Sequence, residues 1–511
     1  MEHLPLLFLL IALPLVGAVA VLAVPSGRAH LVRGLATLAA LLPIAIAMLL
    51  WFAFEPRGAQ WQFSQQVDLG VPSGVRYAVG LDGLSLMLAV LTTAVVAVAI
   101  ACGPAEPARR WAASLLLLEA GALGAFVSLD VLQMFVFWQL AVVALVVMIA
   151  ASEPRRIAVL SMAIAIAGGV LMLAGVLVLR ADYQALASIS TFDIRAYHLA
   201  SLPRAAQSRV FLLLALAFAA PLALALVQLA TDLHRRSSWL LALVTSAVVV
   251  KLGAFGFLRV LMPVVPEVTR AIAPALVLVG LVSAAIVACV TVRAPARLAL
   301  CLVGIGQLAV ATAGMFAATP EALTGAMVHL FAHGIAIAAL FAIALRPGSG
   351  GQAAATYVSP GLVAAAAIAG GFTGARLIAA GLLPFGRTTV AASILANVVT
   401  AAALIVVARR SSSAGSAGDS ESSAVNLAAV APLIALSVAM AVYPAPLLAR
   451  LETSVARLVM RVSPEYSTQV ADCLNQPVPP PPQNSGLPGG MMLAAPCADG
   501  SNKPGGPAKK P

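Results

Sequence analysis

The chain has 511 residues, 62% of them apolar and only 10% charged, with a formal net charge of +11. So large an apolar share with so few charges excludes a soluble domain and leaves an all-α polytopic membrane protein. Arginines fall mostly between the apolar runs, where they anchor loops at a membrane surface, so no nucleic-acid partner is expected and the bilayer is the expected environment.

Fourteen apolar runs of about 20 residues predict membrane spans near 5–24, 34–54, 84–103, 111–129, 131–151, 157–179, 209–230, 239–262, 271–292, 297–317, 322–345, 358–385, 388–408 and 425–448. The first lacks a basic n-region and ends in Pro25, which predicts a retained helix rather than a cleaved signal. Odd-numbered connections hold thirteen arginines, among them Arg28, Arg109, Arg155 and Arg293, whereas the short even ones hold Arg259, Arg270 and Arg387. This asymmetry predicts odd connections in the cytoplasm and both termini outside. Two longer connections, about 55–83 and 180–208, are then expected on the outer face. The Ser/Gly-rich stretch at 409–424 predicts a cytoplasmic linker, and the Pro/Gly-rich 463–511 predicts a disordered tail.

Charges inside the spans are few, and each is informative. Lys251 is the sole lysine before residue 503 and sits in Ser238–Leu258, a stretch with no other charge. A cation at that depth costs several kcal/mol, which marks it for ion or proton handling. Glu119 is the one carboxylate predicted mid-span. It lies eleven residues before Asp130 and Gln139 nine after it, so in a helical hairpin the two share a depth to within about 3 Å and are expected to face one another. His329 and His333, four apart, share a helix face and would bind a metal only with a third ligand, which no nearby pattern supplies; His333 suits a proton relay. Arg376 lies eleven residues from Arg387 and keeps its charge, so it cannot relay a proton but can gate a path or pair with an acid of a neighbouring subunit. Each site has a structural alternative: a packed lysine, a protonated carboxyl bonding a neighbouring helix, a satisfied core histidine, or an arginine reaching headgroups.

Cys102, Cys289 and Cys301 fall in or beside apolar runs, while Cys473 and Cys497 lie in the tail, where a disulfide and free thiols are equally open. No CxxC pair, cysteine cluster or glycine-rich dinucleotide fingerprint occurs, so no iron–sulfur, flavin or NADH cofactor is expected in this chain.

Val79-Gly-Leu-Asp82-Gly-Leu-Ser, Leu115–Gly124 around Glu119, Val136-Phe-Trp-Gln139, Lys251–Arg259, Gly325–Gly334 and Val442–Leu448 together resemble the M subunit of proton-translocating NADH:quinone oxidoreductase. The resemblance covers about residues 5–461. Asp232 and His234 match that family's Asp-x-His ahead of the eighth span, in a gating or structural place. The resemblance implies fourteen helices with two inverted five-helix repeats. Residues 1–110 then form spans 1–3 with an outer loop, 111–262 and 271–408 the repeats, and 425–462 the last helix and a lateral segment. It further implies broken seventh and twelfth spans, for which Pro221 and Gly370-Gly371-Phe-Thr-Gly374 are suited. In this family a proton path runs through Lys251, His333 and a polar position matched by Gln307. The fifth-span glutamate is here Gln139, the seventh-span lysine Ala219 and the twelfth-span acid Ala375, so Glu119 is the candidate substitute acid. Implied too are an inner-membrane location, other membrane-arm subunits as partners, quinone met only indirectly and redox chemistry carried elsewhere. A non-pumping structural subunit, or a subunit of a cation/proton antiporter or membrane-bound hydrogenase, are the alternatives.

Overall fold

The computed structural model describes residues 5–25, 27–68, 70, 75–103, 109–234, 239–294, 296–344, 360–413, 427–463 and 466. The tail with Cys473 and Cys497, most of the 409–424 linker, and the side chains of Asp232 and His234 lie outside the described residues. The chain opens with α1 (Leu6–Ala23) and α2 (Ala29–Ala53), then an antiparallel hairpin of β1 (Gln62–Asp68) and β2 (Arg76–Leu81), in which Gln65 pairs with Val79. There follow α3 (Gly83–Ala101), α4 (Arg109–Val127), α5 (Val131–Ser152), α6 (Arg155–Ala187), the short α7 (Ile194–Leu199) and α8 (Arg204–His234). The next span is composite: α9 (Trp239–Val244), a π-helical turn (Thr245–Val249), α10 (Val250–Gly256), a second π-helical turn (Phe257–Leu261) and α11 (Met262–Val264). The remaining helices are α12 (Pro266–Thr291), α13 (Ala296–Ala317), α14 (Pro320–Ala344), α15 (Pro360–Gly381), α16 (Arg387–Ser413), α17 (Leu427–Val442) and α18 (Ala445–Val462).

Among the described residues, eleven helical stretches are long and apolar enough to cross a membrane. A bent pair, Ala431–Val442 with Ala445–Val462 at 75°, makes up to twelve. Helix starts follow the local chemistry: the Asp82, Asp130 and Asp193 carboxylates cap α3, α5 and α7 by accepting from Ser85, from Leu132 and Gln133, and from Arg195 backbone N–H groups. Lipid is as apolar as leucine, so the helices associate through close backbone approach rather than burial of oily faces. A methyl group on Gly121 of α4 would strike the Ala141 nitrogen of α5, and one on Gly325 of α14 would strike Gly374 and Ile378 of α15.

The composite span and α14 form the centre, with 89% and 94% of their apolar windows buried, while α1, α2, α6 and α12 turn Val16, Leu38, Val170 and Leu278 outward. One face gathers the hairpin, the α4–α5 turn, α7, α11 and α18. The Ala78 N–H donates to the Gln133 side chain, the Leu129 N–H to the Ala78 carbonyl and the Val131 N–H to the Phe192 carbonyl. On the opposite face Arg33 donates to the Ala101 carbonyl and Arg109 to the Val24 carbonyl. Even-numbered connections thus share one face.

Three expectations need correcting. Pro221 lies inside a continuous α8, and α15 runs unbroken as helix through Gly370 and Gly371. The interruption of regular helix falls instead on the eighth span, where two π turns bracket Lys251; π turns change the backbone hydrogen-bond register and are frequent at functional sites. Gly374 marks a close helix crossing rather than a break. Arg259 is no loop anchor but a buried residue of the second π turn.

Candidate functional site

Lys251 is the second residue of α10, just after the first π turn, and its side chain leans back along its own helix, as helical side chains do. Its ammonium donates to the Ser246 carbonyl at 2.6 Å and lies 2.6 Å from His333 Nδ1 of α14. Both residues are buried. Lys251 and His333, 82 positions apart in sequence, are therefore in direct contact.

His333 faces two ways. Its Nε2 has no well-formed hydrogen bond and points toward Gly304, and the ring lines a cavity of about 470 Å³. The same cavity is lined by Gln307, His329, Ala375, Arg376 and Asn397 in an otherwise apolar wall. His329 is buried, with no well-formed hydrogen bond at either ring nitrogen. Four candidates read from the sequence (Gln307, His329, His333 and Arg376) thus converge on one space, and among the described residues His333 alone joins it to Lys251. Arg376 is exposed, and no described acid pairs with it. Among the described residues no three His, Cys, Asp or Glu side chains are grouped to hold a metal.

The expected Glu119–Gln139 meeting does not form. Glu119 is wholly buried with neither carboxyl oxygen bonded. Gln139 sits against Gly169 of α6, where a methyl group would overlap its amide. The α5 face toward α4 is that of Phe137 and Ala141, which meet Gly121 and Gly124. The rotation of α5 about its axis carries Gln139 to the next neighbour, α6.

The arrangement also contains a network to which the sequence reading assigned no role. Arg259 donates through both terminal nitrogens to Asp82, at 2.9 and 2.5 Å, and to the Ser85 hydroxyl at 2.8 Å. Its guanidinium lies over the Trp61 and Phe255 rings. Ser454 of α18 donates to Asp82, and His198 of α7 donates through Nε2 to the Arg259 carbonyl. Burial pushes the Asp82 carboxyl up, but the Arg259 charge and the bonds from Arg259, Ser85 and Ser454 outweigh it and hold the group below its ordinary value. Burial, and then the nearby arginine charges, push His198 down to about 4. The visible signal was Asp82 and Arg259 within the quoted motifs; their pairing across 177 positions was not readable.

A bundle with a lysine at a π-helical interruption, an imidazole partner and a largely apolar cavity carrying a few polar groups has the features of an ion- or proton-handling membrane subunit. Comparison with known proteins narrows the class. Residues 128–355 match the family described as NADH:quinone oxidoreductase/Mrp antiporter, transmembrane. NADH-quinone oxidoreductase subunit M of Mycobacterium tuberculosis is 26% identical over 521 residues, covering 88% of this chain and 93% of that one. NADH-ubiquinone oxidoreductase chain 4 of Prototheca wickerhamii is 25% identical over 357 residues, covering 65% and 67%. In fold, the chain is similar to one in respiratory complex I from Thermus thermophilus, with a TM-score of 0.76, 23% identity and coverage of 89% and 100%. It is also similar to one in the Mrp complex from Dietzia sp., with a TM-score of 0.70, 18% identity and coverage of 89% and 52%. The matched segment, 128–355, holds Lys251, both π turns and His333. As a whole the chain resembles the family's M-type, antiporter-like membrane subunits.

Proposed function

We propose that the protein is a membrane-arm subunit of a proton-translocating NADH:quinone oxidoreductase, contributing to proton translocation while electron transfer proceeds in other subunits. The observation that carries this reading is the 2.6 Å contact between Lys251 Nζ and His333 Nδ1. A proton held on the lysine passes to Nδ1 without rearrangement of either helix, and loss of the Nε2 proton toward the cavity then completes a step through the ring. Gln307, His329 and Asn397 supply polar wall for water beyond it. In this reading the chain crosses the inner membrane fourteen times, with both termini outside and two inverted repeats. α15 and α16 are then spans twelve and thirteen, and α17 is span fourteen. Neighbouring membrane-arm subunits and lipid are its partners, and it holds no cofactor.

The test is proton pumping by the intact complex, reconstituted in vesicles and driven by NADH, with Lys251→Ala and His333→Leu. Loss of at least tenfold in protons moved per electron, with assembly retained, is the expected result. Undiminished stoichiometry in both variants rejects the reading.

A second reading, a structural subunit that does not pump, is favoured by the positions of Glu119 and Gln139, since neither contacts the lysine and Ala219 and Ala375 replace charged positions. Glu119→Gln tests whether Glu119 is the substitute acid. It is expected to abolish coupling if Glu119 serves as the substitute acid, and unchanged coupling removes Glu119 from the path.

A further inference from the structure

A second cavity, of about 360 Å³, lies under α18 at the face that carries the hairpin and α7. α18 departs from α17 at 75° and buries Leu447, Leu451, Val455, Leu458 and Val462 along one side, so it runs along the membrane boundary rather than through it. The cavity is therefore at headgroup depth.

Its charged wall is unbalanced. Asp82 is fully engaged by Arg259, whereas Arg457 and Arg461 meet neutral oxygens: Arg457 donates to the Gln60 side chain, and Arg461 to the Pro263 and Ala200 carbonyls. Among the described residues no acid pairs with either. One turn apart on α18, their Cβ atoms are about 5–6 Å from each other, a spacing at which like charges repel unless an anion sits between them. His198 and Ser454 complete the polar side. The rest of the wall is apolar, and at its rim Leu199 is 85% and Met460 39% exposed, opening a greasy path from the cavity to the bilayer.

We infer that this cavity binds the phosphate of an anionic phospholipid between Arg457 and Arg461, with the acyl chains leaving past Leu199 and Met460. Two guanidinium forks match the two free oxygens of a phosphodiester, and the oily rim selects a lipid over free phosphate. Such a lipid joins α18 to the Asp82–Arg259 pair and so to the end of the Lys251 span.

Native mass spectrometry of the purified full-length protein, supplied with phosphatidylglycerol, phosphatidylcholine or inorganic phosphate, tests this. Expected is one phosphatidylglycerol retained in preference to phosphatidylcholine, with retention falling about tenfold in Arg457→Gln. It should be unchanged in Arg204→Gln, which removes the same charge from an exposed residue that does not line the cavity. Arg457 is exposed and bonds only Gln60 among the described residues, so its variant is expected to fold; adding Arg461→Gln deepens the loss. Equal retention of both lipids, an equal fall in Arg204→Gln, or displacement of the lipid by inorganic phosphate would overturn the assignment.

Discussion

An ammonium and an imidazole nitrogen 2.6 Å apart hold one proton between them, because two adjacent buried cations repel strongly in a medium of low dielectric. At the other end of the same span, Asp82 and Arg259 show the opposite logic: unlike charges, 4% and 5% exposed, joined by two hydrogen bonds. Removing one partner strands the other, so Asp82→Ala is expected to cost about 3–5 kcal/mol, read as a lowered melting temperature of the purified protein. Arg259→Met added to it should recover part of that loss. Acid should act in the same direction. Asp82, held below its ordinary value, contributes fully above that value and loses its contribution as pH falls through the depressed one. His198 takes its proton near 6.5 when unfolded but only near 4 when folded, so stability also falls as pH drops through that interval. Melting temperature should decline from pH 7 to 4, and His198→Gln should flatten the slope.

Helices in this molecule meet where side chains are missing. The Gly325–Gly374 crossing brings α14 and α15 into backbone contact beside His329, so Gly325→Ala forces the pair apart at a cost of about 1–3 kcal/mol. The cavity at His329 and His333 should change shape with it, measurable as lower thermal stability together with altered proton coupling in vesicles. Most of the predicted spans were legible because bilayer thickness imposes a run length that composition alone reveals. Lys251, Glu119 and Arg376 stood out for the same reason, as charges where none is cheap. Partnership was less legible. The Lys251–His333 contact joins two spans through tertiary packing, and only the family resemblance placed both on one path. Gln139 meets a different neighbour from the one expected, since counting residues along a hairpin says nothing of azimuth, which depends on the face α5 packs against α4. The π turns, Thr245–Val249 and Phe257–Leu261, carry no proline or glycine to announce a break, and Pro221 and Gly370 were the more conspicuous candidates. The β-hairpin fell within a connection read only as long.

Over the whole molecule, the elements sort into a buried centre and a lipid-facing ring, capped on one face by the hairpin, α7 and α18. In the proposed orientation that face lies outside. In a cysteine-free background, Ala59→Cys on the capped face and Arg110→Cys on the other should react with a membrane-impermeant maleimide from opposite sides, and labelling of both from one side would refute the orientation. The tie between Ser454 and Asp82 spans 372 positions, longer than any other carboxylate contact described above. A ribosome must therefore deliver nearly every span before this clasp can shut, and until then the Asp82–Arg259 pair stays uncovered by α18. Insertion and final locking are thus separate events in biogenesis, and a nascent chain stopped before residue 445 would be threaded through the bilayer yet unsealed at its outer rim.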